Sequence, residues 1–86
     1  MKASHILVDT LEQAQALLEG ANALNFGSLA QLHSKCPSKA RGGDLGDFGP
    51  GQMVKPFEDA TLATPIGSIS QPVQTQFGFH LIYRTA

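Results

Sequence analysis

Residues 69–85 read I-S-Q-P-V-Q-T-Q-F-G-F-H-L-I-Y-R-T, and this tail decides the fold class. Phe79, Leu81 and Tyr83 alternate with His80, Ile82 and Arg84, the period-two pattern of a strand that gives each set its own face. A turn near Gln76–Gly78 separates that strand from a shorter one ahead of it. Pro72 has no amide proton to donate, so it restricts its own strand to a sheet edge or a strand start. The chain therefore closes on two strands joined by a turn, not on a strand–helix–strand unit.

Working back from the tail, Pro56 suits the first turn of a helix over 56–63, and Pro65 and Gly67 end it. Before it, residues 41–57 read R-G-G-D-L-G-D-F-G-P-G-Q-M-V-K-P-F and hold five of the nine glycines. Glycine is costly to order and packs nothing, so such density serves backbone geometry. Leu45, Phe48, Met53 and Phe57 sit among those glycines, which suits a turn-rich rim that offers apolar side chains to a ligand. A plain surface loop with buried anchors is the alternative reading. Asp47 and Phe48 are placed as a brief strand within it.

Pro37 ends a preceding helix or opens a short one. That preceding helix is capped by Asn25 and turns Phe26, Leu29, Ala30 and His33 to one side. Thr10 and Gln13 have capping-box spacing, so another helix begins at Leu11, with Leu11, Ala14, Leu18 and Ala21 on one face and Gly20 and Asn22 as stop signals. Residues 3–8, A-S-H-I-L-V, form a first strand. The order is strand, helices, short strand, helix, two strands. It defines an α+β domain with a small, largely antiparallel sheet.

At 86 residues the chain is read as a single domain, 1–86, that buries roughly 60–65% of its unfolded surface. A hydrophobic content of 42% against 15% charged residues is that of a folded protein. The net charge of −1 argues against nucleic-acid binding. No apolar run approaches the ~20 residues of a membrane span, and the apolar core of M-K-A-S-H-I-L-V-D is too short for a signal peptide. One cysteine excludes an internal disulfide, and cytoplasm is the expected compartment.

The reactive candidates are His5, His33, Cys36 and His80. His5 and His80 fall in the first and last strands and meet if those strands are neighbours; a structural role for each is the alternative. His33 is read as a core or boundary histidine. Cys36 precedes a proline and lies near Lys35 and Lys39, whose charge favours a thiolate. A cysteine–histidine hydrolase needs a nucleophile, a base, an orienting group and an oxyanion hole, and no nucleophile elbow is present. No pair among these residues has zinc-ligand spacing. The glycines match neither a phosphate loop nor a dinucleotide fingerprint. No cofactor or metal is expected.

Taken together, the segments resemble the parvulin family of peptidyl-prolyl cis–trans isomerases, most of all the small stand-alone bacterial parvulins. The resemblance rests on A-S-H-I-L-V (3–8), F-G-S-L-A (26–30), S-K-C-P-S (34–38), G-G-D-L-G-D-F (42–48), G-Q-M-V-K-P-F-E-D-A (51–60) and Q-P-V-Q-T-Q-F-G-F-H-L-I (71–82), in that order along almost the whole chain. It implies the parvulin, FKBP-like fold: a four-stranded antiparallel sheet surrounded by about four helices. It implies that Leu45, Met53 and Phe57 line a pocket for the substrate proline, with Phe77 at its edge and Gln52 giving a backbone contact to the peptide. It implies paired histidines, His5 and His80, at the sheet centre, Cys36 above the susceptible amide, and Thr75 completing the polar network.

The implied partners are proline-containing peptides and unfolded chains, bound by a monomer. Family members that prefer phosphoserine or phosphothreonine before the proline carry a basic cluster just after the first strand. Asp9 and Thr10 stand there instead, so no phosphate preference is expected. Lys35, Lys39 and Arg41 remain as a small basic rim. The alternatives are a peptide-holding chaperone module with little turnover and a thiol enzyme using Cys36.

Overall fold

The two strands farthest apart in sequence make the centre of the sheet. The computed structural model describes residues 1–86, and in it β1 (Lys2–Val8) pairs antiparallel with β4 (Gly78–Arg84), from Ala3 opposite Arg84 to Val8 opposite Phe79. The short strands take the edges: β2 (Asp44–Asp47) beside β1 and β3 (Val73–Thr75) beside β4, giving the order β2-β1-β4-β3 with every pairing antiparallel. The helices are α1 (Leu11–Gly20), α2 (Phe26–His33) and α3 (Lys55–Ala63). A 3-10 helix at Pro37–Arg41 is the fourth helical element, and Pro37 opens it.

The alternation read from the tail divides the core in two. On one face Ile6, Val8 and Leu81 pack with Ala14 of α1 and with Phe26 and Ala30 of α2. On the other, Ala3 and Ile82 pack with Phe48 and with Phe57 of α3. Arg84 follows the second face and reaches the end of α3, donating from Nη1 to the carbonyls of Thr61 and Thr64 at 3.3 Å each. Those carbonyls lie at the end of α3, where a helix runs short of its own donors, and the Thr61 carbonyl also accepts the Thr64 amide at 3.1 Å.

Local signals hold with four adjustments. The Thr10–Gln13 capping box forms in both directions. The inward stripe of α1 is Ala14, Leu17, Leu18 and Ala21, and Leu11 in the first turn is left outside it, exposed. Asn25 does not cap α2 with its side chain. Its Nδ2 donates to the Gly20 carbonyl at 2.7 Å and its Oδ1 accepts from the Asn22 amide at 2.7 Å, so it ties the linker between helices instead. His33, the last residue of α2, is exposed and not a core or boundary group. The short strand begins at Asp44 because Asp44 and Asp47 register against Ser4 and Lys2, while Phe48 beyond it turns into the core.

Gly43 locks the glycine-rich segment to β1. Its carbonyl accepts the His5 amide at 2.9 Å, its φ is +82°, and a Cβ there would lie 2.3 Å from the His5 carbonyl oxygen. Gly46 shares the left-handed backbone, at φ +71°, but has nothing within 4 Å of a built Cβ. We predict that Gly46→Ala costs about 1–2 kcal/mol, the left-handed penalty alone. Gly43→Ala should cost clearly more, since the neighbouring backbone must also move. Urea denaturation of the two variants checks this, and equal losses would contradict it.

Candidate active site

The site is built on the β1–β4 register. His5 lies opposite Ile82 and Leu7 opposite His80, so the two histidines are diagonal neighbours on the face that carries α3. Their rings stack with centroids 5.2 Å apart and planes at 16°, and the two Nδ1 atoms lie 3.0 Å from each other. The β3–β4 hairpin brings Thr75 beside His80, with Oγ1 2.7 Å from Nε2. The Phe77 amide donates to the same hydroxyl at 3.2 Å. Phe57 meets both imidazoles edge-on, at 5.5 Å and 5.2 Å.

This setting fixes protonation. Both histidines are almost fully buried. Burial pushes His5 down to about 4, helped by the facing His80, and burial pushes His80 down to about 4. Both are therefore neutral near pH 7. A 3.0 Å contact between two Nδ1 atoms needs one proton between them, so the two rings must be opposite tautomers. If His80 Nδ1–H donates to His5, the Thr75 hydroxyl donates to His80 Nε2. If His5 Nδ1–H donates, His80 Nε2–H donates to Thr75. His5 Nε2 is buried without a partner in either case.

Above the pair opens a pocket of about 500 Å³. Of the residues singled out from the sequence as apolar lining or rim, Leu45, Met53, Phe57 and Phe77 are there, with Gln52 beside them, whereas Phe48 is buried in the core against Ala3, Phe57 and Ile82 and does not reach the pocket. Cys36, His5 and His80 also line it, and Thr75 lies behind His80. Phe57 is deeply buried and serves as floor and core together, whereas Phe77 is 59% exposed at the rim. The glycine-rich loop is pinned where it turns into the pocket: the Gly49 amide donates to Gln52 Oε1 and the Gly51 amide to Glu58 Oε1, both at 2.7 Å. Lys35, read from the sequence as part of a basic rim, also lines the pocket, and Leu7, Pro37 and Val54, which sequence reading did not single out, complete the lining. The strand alternation could have found Leu7, which shares the face of His5.

Cys36 is half-buried and held by its backbone. Ser34 Oγ accepts from both the Leu7 amide at 3.0 Å and the Cys36 amide at 3.3 Å, latching this segment to β1. The Lys35 ammonium pairs with Asp9 and not with the thiol. Nor does either imidazole bond the sulfur, because the Nδ1 atoms face each other and His80 Nε2 faces Thr75. A nucleophile–base pair is not assembled. No cluster of three His, Cys, Asp or Glu side chains is placed to hold a metal ion. A second groove of about 370 Å³, between the end of α3 and residues 69–73, is lined by Thr64, Ser70, Gln71 and small apolar groups and carries no titratable side chain.

An apolar pocket thus lies over a neutral, hydrogen-bonded polar base, on the sheet order β2-β1-β4-β3. The family model for the PPIC-type peptidyl-prolyl isomerase domain, a rotamase, matches residues 5–86, and the chain belongs to that family. It is 49% identical over 79 residues to the peptidyl-prolyl cis-trans isomerase Pin1 of Digitalis lanata, covering 90% of this chain and 67% of that protein. It is 44% identical over 87 residues to foldase protein PrsA 4 of Bacillus cereus, covering 99% of this chain and 31% of that protein. The solution structure of the parvulin of Nitrosopumilus maritimus superposes with a TM-score of 0.83 at 41% identity, over 100% of this chain and 95% of that one. The chain is thus similar in extent to the archaeal parvulin and spans under a third of the foldase.

The buried pair carries a pH signature. An imidazole in the unfolded chain takes up its proton near pH 6.5, but His5 and His80 resist until about 4. Between those values the unfolded state binds more protons, so stability falls as pH falls through that window and is unaffected above it. A shift of this size corresponds to on the order of 3 kcal/mol per histidine. Chemical denaturation at pH 7 and pH 4.5 should show a loss of several kcal/mol. Equal stability at the two pH values would contradict the neutral-pair assignment.

Proposed function

We propose that this peptidyl-prolyl isomerase domain accelerates rotation about X–Pro bonds in flexible or unfolded chains, by non-covalent means and with no need for a phosphate before the proline. Rotation about a peptide bond faces a barrier of ~18–20 kcal/mol, and for X–Pro takes ~10–100 s unaided. No bond need break to lower it. What is needed is a grip on the proline ring and a preference for the twisted amide, and each ~1.4 kcal/mol of that preference gives about tenfold in rate.

The observation that carries this reading is the joining of the apolar pocket to the uncharged His5–His80–Thr75 chain at its base. In it, Leu45, Met53 and Phe57 hold the ring, Phe77 closes the edge, and Gln52 offers its backbone to the peptide. Cys36, His5, His80 and Thr75 tune hydrogen bonding and polarity around the amide, and Cys36 is no obligate nucleophile. The absence of a phosphate requirement is supported by Asp9 and Thr10, which follow β1 directly before α1 begins at Leu11. A role in protein folding is supported by the foldase relatives. We further propose that the domain works as a monomer in the cytoplasm, where its one thiol stays reduced.

The test is an isomerisation assay on proline tetrapeptides. Phe57→Ala is a poor probe, because emptying so buried a site costs ~3–5 kcal/mol of stability. Met53 is half-buried at the pocket wall, so Met53→Ala should leave the fold intact and lower kcat/KM by about tenfold, the equivalent of ~1.4 kcal/mol. Folded Cys36→Ala should keep measurable activity, and its complete inactivity would restore the thiol reading. Ala-Pro and phosphoserine-Pro peptides should be turned over at similar rates, and a large phosphopeptide advantage would overturn the specificity. Tight peptide binding without turnover would make the domain a holding chaperone.

A further inference from the structure

Among the twelve residues lining the pocket, Lys35 is the one whose side chain is charged at neutral pH, since both histidines are held neutral. Its backbone is fixed: the Lys35 amide donates to the Leu7 carbonyl at 2.8 Å, and Ser34 and Cys36 on either side share the Ser34 Oγ latch to β1. Its ammonium, however, is engaged by Asp9. Asp9 is not part of the pocket lining, and it too has a fixed backbone, with its amide donating to Gln13 Oε1 in the N-terminal cap of α1. Lys39 and Arg41 lie on the exposed 3-10 helix and do not line the pocket. Lys35 is thus the one cationic residue of the lining, anchored in the segment that carries Cys36, and its charge is balanced by a carboxylate from outside.

We infer that Asp9 is a specificity-determining residue. By pairing with Lys35 it withholds the pocket's single positive charge from the substrate, so an acidic side chain next to the proline gains no advantage. The inference rests on the isomerase reading and gives a cause for the lack of preference for negative charge. Both side chains are more than half exposed, at 56% and 58%, so the substrate's carboxylate can compete for Lys35 once Asp9 is neutralised. Exposed charge pairs of this kind are worth about 1.4- to fivefold, and salt screens them.

The test compares kcat/KM on Glu-Pro and Ala-Pro tetrapeptides at low salt. In wild type the ratio should lie near one. In Asp9→Asn, and in Asp9→Ser as a second route to the same neutralisation, the ratio should rise about two- to fivefold through the Glu-Pro peptide, with the Ala-Pro rate unchanged. The rise should vanish in 1 M salt and in the double variant Asp9→Asn/Lys35→Gln. An unchanged ratio in both single variants overturns the inference, as does a rise that survives loss of Lys35. Peptide affinities from NMR titration give the same ratios independently of turnover. Inactivity of wild type on Ala-Pro would therefore count against the isomerase reading alone, while the affinity ratios still decide the role of Asp9.

Discussion

The shared proton between His5 and His80 is the constraint on which the rest of the site depends. It requires the first and last strands to be neighbours in a register that sets the rings diagonally, and the contact of 3.0 Å leaves little tolerance for slippage. It also requires dryness, because water at either ring would restore ordinary basicity. Phe57 supplies that by closing edge-on over both imidazoles, so one aromatic ring serves the core, the pocket floor and the protonation state at once. Thr75 then ends the chain of hydrogen bonds, and the two-residue turn of the last hairpin sets its position.

A neutral site suits the chemistry. Rotating an amide shifts charge only modestly, and a fixed cation or carboxylate at the base would favour one planar form as readily as the twisted one. A pair that stays uncharged near pH 7, yet can donate or accept at either end, offers polarity without that bias. The one cationic residue of the lining, Lys35, is balanced by Asp9. The glycine-rich loop supplies the complementary apolar wall, and its turn is pinned by Gln52 and Glu58 so that Met53 faces inward at a fixed place.

Much of this was legible in the residues. The alternation of the tail predicted which side of the last strand Leu81 and His80 would each take, and the capping box at Thr10 formed as read. The resemblance assembled the pocket members, and the structure brings them to one cavity. What escaped was set by tertiary packing. Nothing in the local sequence of Asn25 says that its side chain will prefer the end of α1 to the start of α2. The periodicity of α2 admits His33 to the inward stripe, but the helix stops there and leaves it in solvent. The short strand lies at Asp44–Asp47 and not at Asp47–Phe48 because its bounds depend on a partner strand distant in sequence, with Ser4 opposite Asp44 and Lys2 opposite Asp47. The proximity of Lys35 to Cys36 in sequence pointed to a thiol–ammonium contact, whereas the fold offers Lys35 a carboxylate from the end of β1.

The nitrogen-15 NMR spectrum of the histidine side chains at pH 7 reads the protonation of the pair directly. His5 and His80 should both be neutral and of opposite tautomer, one protonated at Nδ1 and the other at Nε2, with exposed His33 as an internal comparison. Two imidazoles of the same tautomer, or either of them as an imidazolium at that pH, would contradict it.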